Sequence, residues 1–226
     1  RMEIGFGSLD RHIYLLNASG RVRWYAQAAD TIFSSPSFAD INSDGRLEMI
    51  MATDISRNTV IRPPTHNGGY IYAFSTRGRR VKKISFRTGH IWIQRLDQVP
   101  WSAPAVGDIL PESPGLELAI ASGYYFTPTR YGKWVEILSA ADGKVLMTLQ
   151  TPTVSAGSPA LADLNQDGLL EVVAMVNGSS NYGGDGRGRV MAWTPALGTA
   201  PIWETVPRER SRANTFYLNS PAIADV

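Results

Sequence analysis

The 226 residues are 43% apolar and 19% charged, enough for a sizeable buried core and too well mixed for a disordered chain. The 22 basic and 20 acidic residues leave a net charge of +2, which argues against a nucleic-acid partner recruited by global charge. With no cysteine there is no disulfide framework, thiolate metal site or cysteine nucleophile, and no apolar run approaches the roughly 18 residues of a membrane span.

Along the chain, Arg1-Met2-Glu3 opens directly into strand-like sequence, and a hairpin follows over 13–24. Then a pattern repeats: Ser35-Pro-Ser-Phe-Ala-Asp40, Ala103-Pro-Ala-Val-Gly-Asp108, Ser158-Pro-Ala-Leu-Ala-Asp163 and Ser220-Pro-Ala-Ile-Ala-Asp225. The aspartates lie 108−40 = 68, 163−108 = 55 and 225−163 = 62 residues apart. A period of about 60 exceeds the roughly 33 to 47 of helical solenoids and lies near that of propeller blades.

Each unit reads as four short strands. The first full unit has strands at 36–41, 47–52 and 69–74, a glycine turn at Arg77-Gly78 and a fourth strand at 80–86. The same order recurs at 116–121, 134–138 and 144–149, and again at 170–176 and 189–193 with a turn at Leu197-Gly198. No segment carries a helix-length apolar stripe. The expected fold is all-β, a β-propeller of four-stranded antiparallel blades, in which radial repetition leaves only short protected edges. The divisions fall as a partial blade at 1–33, blades at 34–100, 101–155 and 156–217, and the first strand of a further blade at 218–226.

Between the first two strands of a unit stand Asp40-Ile-Asn42-Ser-Asp44-Gly-Arg46-Leu-Glu48 and Asp163-Leu-Asn165-Gln-Asp167-Gly-Leu169-Leu-Glu171. Oxygen side chains fall at positions 1, 3, 5 and 9, glycine takes the sharp turn at 6, and position 7 (Arg46, Leu169) offers its backbone carbonyl. This suits a hard cation, Ca2+ rather than Mg2+, because Ca2+ accepts roughly six to eight oxygens in flexible geometry whereas Mg2+ demands a stricter octahedron. Glu48 and Glu171 open β-rich runs, so the loop belongs to a β-hairpin and not to a helical EF-hand. The copy beginning at Asp108 has Leu110 at position 3, two prolines and Glu117 one residue late, and is expected to be held by proline without metal. Asp225-Val226 begins another copy, and Arg1-Met2-Glu3 matches positions 7 to 9 of one.

These loops resemble those of the FG-GAP or VCBS repeats of integrin α-subunit-like propellers, and the similarity runs over the whole chain. The resemblance implies calcium ligation by Asp40, Asn42, Asp44 and Glu48, and by Asp163, Asn165, Asp167 and Glu171. It also implies that the ions stabilise blades on the face away from the ligand surface. Such propellers usually have seven or eight blades. About four blades' worth of sequence therefore reads as a fragment of a longer propeller, in preference to half of a two-copy ring or a closed four-bladed ring in which 219–226 pairs beside 2–7.

The connections between strands 2 and 3 and between strands 4 and 1 share the opposite face, and several are long. They carry Arg57, Arg62, His66, His90, Tyr124, Tyr125, Tyr131 and Arg210, a set suited to stacking on a carbohydrate and to bidentate binding of an anionic group. No catalytic set stands out: the three histidines have no triad spacing, and there is no nucleophile elbow. The expected function is that of a non-catalytic, calcium-stabilised propeller, extracellular, at a cell surface or periplasmic. It would bind protein or polysaccharide and pair with further blades or a second copy. The alternatives are the propeller of a polysaccharide lyase, suggested by Pro114-Gly-Leu-Glu-Leu118, and that of a quinone-dependent dehydrogenase, suggested by the 13–24 hairpin.

Overall fold

The computed structural model describes residues 2–55, 68–77, 83–84, 90–121, 132–180, 183–207 and 219–225. The strands in chain order are β1 (Glu3–Gly7), β2 (His12–Asn17), β3 (Val22–Gln27), β4 (Ser37–Ala39), β5 (Glu48–Ile55), β6 (Gly68–Ser75), β7 (Lys83–Ile84) and β8 (Trp92–Leu96). There follow β9 (Ala105–Gly107), β10 (Glu117–Ala121), β11 (Trp134–Ser139), β12 (Val145–Gln150), β13 (Ala160–Ala162), β14 (Glu171–Val176), β15 (Arg189–Trp193) and β16 (Trp203–Thr205). They form four four-stranded sheets, ordered β1-β2-β3-β7, β4-β5-β6-β8, β9-β10-β11-β12 and β13-β14-β15-β16. The second, third and fourth are antiparallel meanders. In the first, β1, β2 and β3 are antiparallel and β7 runs parallel to β3.

The fourth strand of the second sheet differs from the sequence expectation. It is β8, not 80–86: Trp92 and Leu96 are buried, and the Trp92 indole Nε1 donates to the Ala140 carbonyl of the next sheet at 2.9 Å. Of the expected strand, Lys83 and Ile84 instead join the first sheet beside Tyr25 and Ala26. Nor do residues 219–225 form the expected first strand of a further blade, and the pairing of 219–226 beside 2–7 that the closed-ring alternative needs is not made among the described residues.

The core consists of three junctions between successive sheets. Ile13, Leu15 and Trp24 meet Met49, Met51 and Phe74 in the first, and Ile50, Ile71 and Trp92 meet Leu118, Ile120 and Leu138 in the second. Val135, Ile137 and Leu149 meet Val172, Met191 and Trp193 in the third. Because side chains alternate across a strand, Met49 and Met51 face back while Ile50 and Ala52 face forward, so β5 is apolar at consecutive positions instead of alternating. Strand β1 lies so close to the second sheet that a Cβ on Gly5 would sit 2.5 Å from the Met49 sulfur and 2.8 Å from the Phe38 ring. A side chain at Gly5 would force this junction apart.

Along the inner strands a polar relay crosses the junctions. The Ala103 N–H donates to Ser158 Oγ at 2.8 Å, and the Ser158 N–H donates to Ser220 Oγ at 3.0 Å, the same repeat position each time. Ser158→Ala leaves the Ala103 amide without its acceptor and is expected to lower stability by about 1 to 2 kcal/mol, read from the urea midpoint at unchanged slope. A variant as stable as the native chain would show that the relay contributes nothing.

Candidate functional site

The two aspartate-rich loops adopt one conformation. Ser43 and Gln166 take left-handed φ values of 58° and 61°, and Gly45 and Gly168 take 78° and 88°. The Asp44 N–H lies 3.0 Å from both Asp40 Oδ1 and Asn42 Oδ1, while the Gly45 N–H donates to Asp40 Oδ2 at 2.8 Å. In the other loop the Asp167 N–H lies 3.0 Å from Asp163 Oδ1 and 3.1 Å from Asn165 Oδ1, and the Gly168 N–H is 2.9 Å from Asp163 Oδ2. A shared amide thus draws the oxygens of positions 1 and 3 together, and a carboxylate oxygen holding one N–H keeps lone-pair capacity for a cation.

Their surroundings differ at position 5. Asp44 forms an ion pair with the Arg77 guanidinium, whereas Asp167 accepts from the Asn165 side-chain amide at 2.9 Å and from the Leu169 N–H at 2.8 Å. The first loop therefore has a protein cation beside it.

Position 9 is drawn into the fold. Glu48, Glu117 and Glu171 are 1%, 0% and 0% exposed at the head of the second strand of their sheets. Each Oε2 accepts loop amides: Ile41 at 3.4 Å for Glu48, Ile109 and Leu110 at 3.0 Å for Glu117, and Leu164 at 2.7 Å for Glu171. Glu171 also accepts from the Thr194 hydroxyl at 2.7 Å, while Glu117 Oε1 is buried without a partner among the described residues. Burial raises the Glu48 carboxyl above its ordinary range. The Ile41 amide opposes that shift, Asp44 and Asp40 add to it, and Arg77 opposes it. In the Asp108 copy the position-3 residue, Leu110, packs against the third junction and supplies no oxygen. Among the described residues, no three His, Asp or Glu side chains gather tightly enough to enclose an ion by themselves. Asn42 or Asn165 and backbone carbonyls must therefore complete any metal shell.

Of the residues expected on the opposite face, Arg57, Arg62, His66, Tyr124, Tyr125, Tyr131 and Arg210 lie outside the described residues. His90 does not belong there. With β8 as the fourth strand, it sits in the connection from strand 3 to strand 4, on the face of the aspartate loops. It is half-buried, 6.3 Å from the Tyr72 ring, and burial holds its imidazole below the ordinary range.

Two residues that the sequence reading passed over do reach this face. Phe33, 55% exposed, lies 5.5 Å from the Trp101 ring, and the two come from successive strand-4-to-1 connections. Serines anchor these connections on the strand-2 carbonyl four residues beyond the buried glutamate. Ser34 Oγ donates to Ala52 at 2.7 Å, Ser102 to Ala121 at 3.0 Å and Ser155 to Met175 at 2.9 Å. The signal was present in the repeat, since Phe33 and Trp101 each stand two residues before the Ser/Ala-Pro step.

Near the same face, burial pushes the Glu136 carboxyl up to about 7; the Asp97 charge adds to this and a hydrogen bond with Trp134 opposes it. An unfolded glutamate titrates near 4.5, so between pH 4.5 and 7 the folded chain keeps a proton that the unfolded chain has released. This contribution to stability is full below pH 4.5 and is lost as the pH rises through about 7. The loss is expected to be about 1 to 3 kcal/mol over that window, and Glu136→Gln should flatten it in urea titrations. An unchanged pH slope would contradict the assignment.

Neither a protein-family model nor a curated protein matches the sequence. Solved structures match in fold. BamB from Moraxella catarrhalis aligns at 13% identity and TM-score 0.50 over 89% of this chain and 44% of its own. A quinohemoprotein alcohol dehydrogenase from Pseudomonas putida HK5 aligns at 13% and 0.54 over 91% and 33%. The Dos1 propeller aligns at 12% and 0.55 over 90% and 44%. The fold is thus a β-propeller of four-stranded blades, and the chain spans less than half the length of each of these structures. At such identities the likeness carries the fold and no activity. Among the described residues no helix is long and apolar enough to cross a membrane.

Proposed function

We propose that this chain is a non-catalytic, calcium-stabilised propeller segment of the FG-GAP or VCBS kind, working outside the cytosol and binding a protein or polysaccharide through its strand-2-to-3 and strand-4-to-1 connections. Asp40, Asn42, Asp44 and Glu48, and likewise Asp163, Asn165, Asp167 and Glu171, would hold calcium together with the position-7 carbonyls of Arg46 and Leu169. The buried Glu48 and Glu171 set the loop amides that shape each site. Bound calcium supplies stability by mass action, and millimolar calcium outside the cytosol keeps such loops filled.

The observation that supports binding is the exposed Phe33 against Trp101, two rings from neighbouring blades held on serine-anchored connections. Sugar rings stack on such a platform, and the rings lose little conformational freedom in doing so. Tryptophan fluorescence titrated with oligogalacturonate and, separately, with a neutral cello-oligosaccharide tests this. A saturable change with one of them, weakened about tenfold or more in Phe33→Ala, is expected. No change with either would remove the polysaccharide arm of the proposal and leave a protein ligand.

A further inference from the structure

We infer that Arg77 is a tethered counter-ion of the Asp40 loop: its guanidinium and calcium are alternative partners of Asp44, and calcium enters this loop by displacing the arginine. The inference rests on the calcium reading above and adds an order of filling to it. The Asp163 loop fills first and the Asp40 loop second.

Arg77 reaches the loop because of where the third strand of its sheet ends. In three sheets the residue opposite the buried glutamate bears a hydroxyl. Ser75 pairs with Glu48, Ser139 pairs with Glu117, and Thr194 stands opposite Glu171, one step past the Val172–Trp193 pair. Just beyond, the chain passes beside the loop of its own sheet: the Thr76 hydroxyl donates to the Leu47 carbonyl at 2.6 Å, and the Ala140 N–H donates to the equivalent Leu116 carbonyl at 2.9 Å. The next residue is Arg77 in the second sheet, but Ala141 in the third and Ala196 in the fourth. Of the three, only Arg77 carries a charge. Its N–H donates to Ser75 Oγ at 3.1 Å, so its backbone is tied on both sides while the side chain extends to Asp44.

The guanidinium takes an oxygen that an ion would need. In each loop Oδ2 of position 5 already accepts a hydrogen bond, from the neutral Asn165 amide in the Asp163 loop and from Arg77 in the Asp40 loop. A charge-assisted bond is roughly twice as strong as a neutral one, so the Asp40 loop gives up its occupant less readily. Arg77 also acts on the buried Glu48 carboxyl, against the repulsion that Asp44 and Asp40 exert there. One arginine thus offsets charge at positions 5 and 9, the work that calcium would do. Among the described residues Asp163, Asp167 and Glu171 form no ion pair, so calcium has no protein cation to displace from that loop. A divalent ion and a guanidinium repel each other at one carboxylate, which makes the two occupants exclusive.

The exchange is read from the Arg77 Nε–H resonance of the 15N-labelled full chain, identified by its loss in Arg77→Lys. The samples are titrated with calcium chloride, and calorimetry is run beside them. In chelator, Asp44→Ala is expected to move the resonance to the position of a free arginine. Calcium should move it to the same place in the unaltered chain, and only after the tighter ion has bound. Asp167→Ala should keep the movement and lose the tighter ion. Arg77→Ala should tighten the weaker ion about fivefold. A resonance that Asp44→Ala leaves in place overturns the inference, as does one that stays put while both ions bind, or an Arg77→Ala chain that binds the weaker ion no more tightly. If no calcium binds while Asp44→Ala still moves the resonance, the calcium reading itself has failed, and Arg77 is a permanent partner of Asp44 with no exchange.

Discussion

Calcium at about a hundredfold excess over its dissociation constant is expected to stabilise the chain by about 2.7 kcal/mol for each filled loop. For a chain of this size that raises the melting temperature by about 5 to 10 °C per site, and a chelator reverses it. The informative variants are Asp44→Ala and Asp167→Ala. They remove a position-5 oxygen while leaving Asp40 and Asp163 to hold the turn amides. Each single variant should lose part of the calcium-dependent increment and the double variant all of it, with little change in chelator. The two loops should not be equal, because Arg77 occupies Asp44 and a nearby cation opposes a second one. Arg77→Ala should tighten the first loop about fivefold and leave the second alone, on the scale of about 1 kcal/mol for a surface ion pair. Equal melting temperatures with calcium and with chelator would end the calcium reading.

Glu171→Ala is expected to cost about 3 to 4 kcal/mol, the largest loss among the side chains at the loops. It leaves the Leu164 N–H and the Thr194 hydroxyl without acceptors and opens a void where the side chain was fully buried. Glu171→Gln keeps an acceptor oxygen and should cost about 1 kcal/mol. Glu117→Ala strands the Ile109 and Leu110 amides by the same mechanism, with a loss of similar size that is the same with calcium or chelator. Urea unfolding in both conditions checks the set. A loss under 1 kcal/mol for Glu171→Ala would show that the buried carboxylate is not what holds the hairpin.

Much of the fold was legible because repeat and alternation are local signals. The Ser/Ala-Pro pattern marks the inner strands, and the runs opened by Glu48, Glu117 and Glu171 are second strands buried on both faces. The fourth strand of the second blade was not legible. Residues 80–86 alternate as well as 92–96 do, and the choice is made by the indole of Trp92 reaching Ala140 in the next sheet, a contact 48 residues away. His90 changed faces for the same reason. The metal loops were readable in their oxygen spacing, but position 9 carries a second meaning that spacing does not reveal. Its carboxylate is buried under the loop amides, and this role persists at Glu117, where position 3 is Leu110 and has no side-chain oxygen. Phe33 and Trp101 lie 68 positions apart, and only the closure of adjacent blades makes them neighbours.

Calorimetric titration of the metal-free chain with calcium decides whether the aspartate loops hold ions. Two ions per chain are expected, the weaker one tightening in Arg77→Ala and both lost in Asp44→Ala/Asp167→Ala. No binding, or a third ion that survives the double substitution, would contradict the calcium reading.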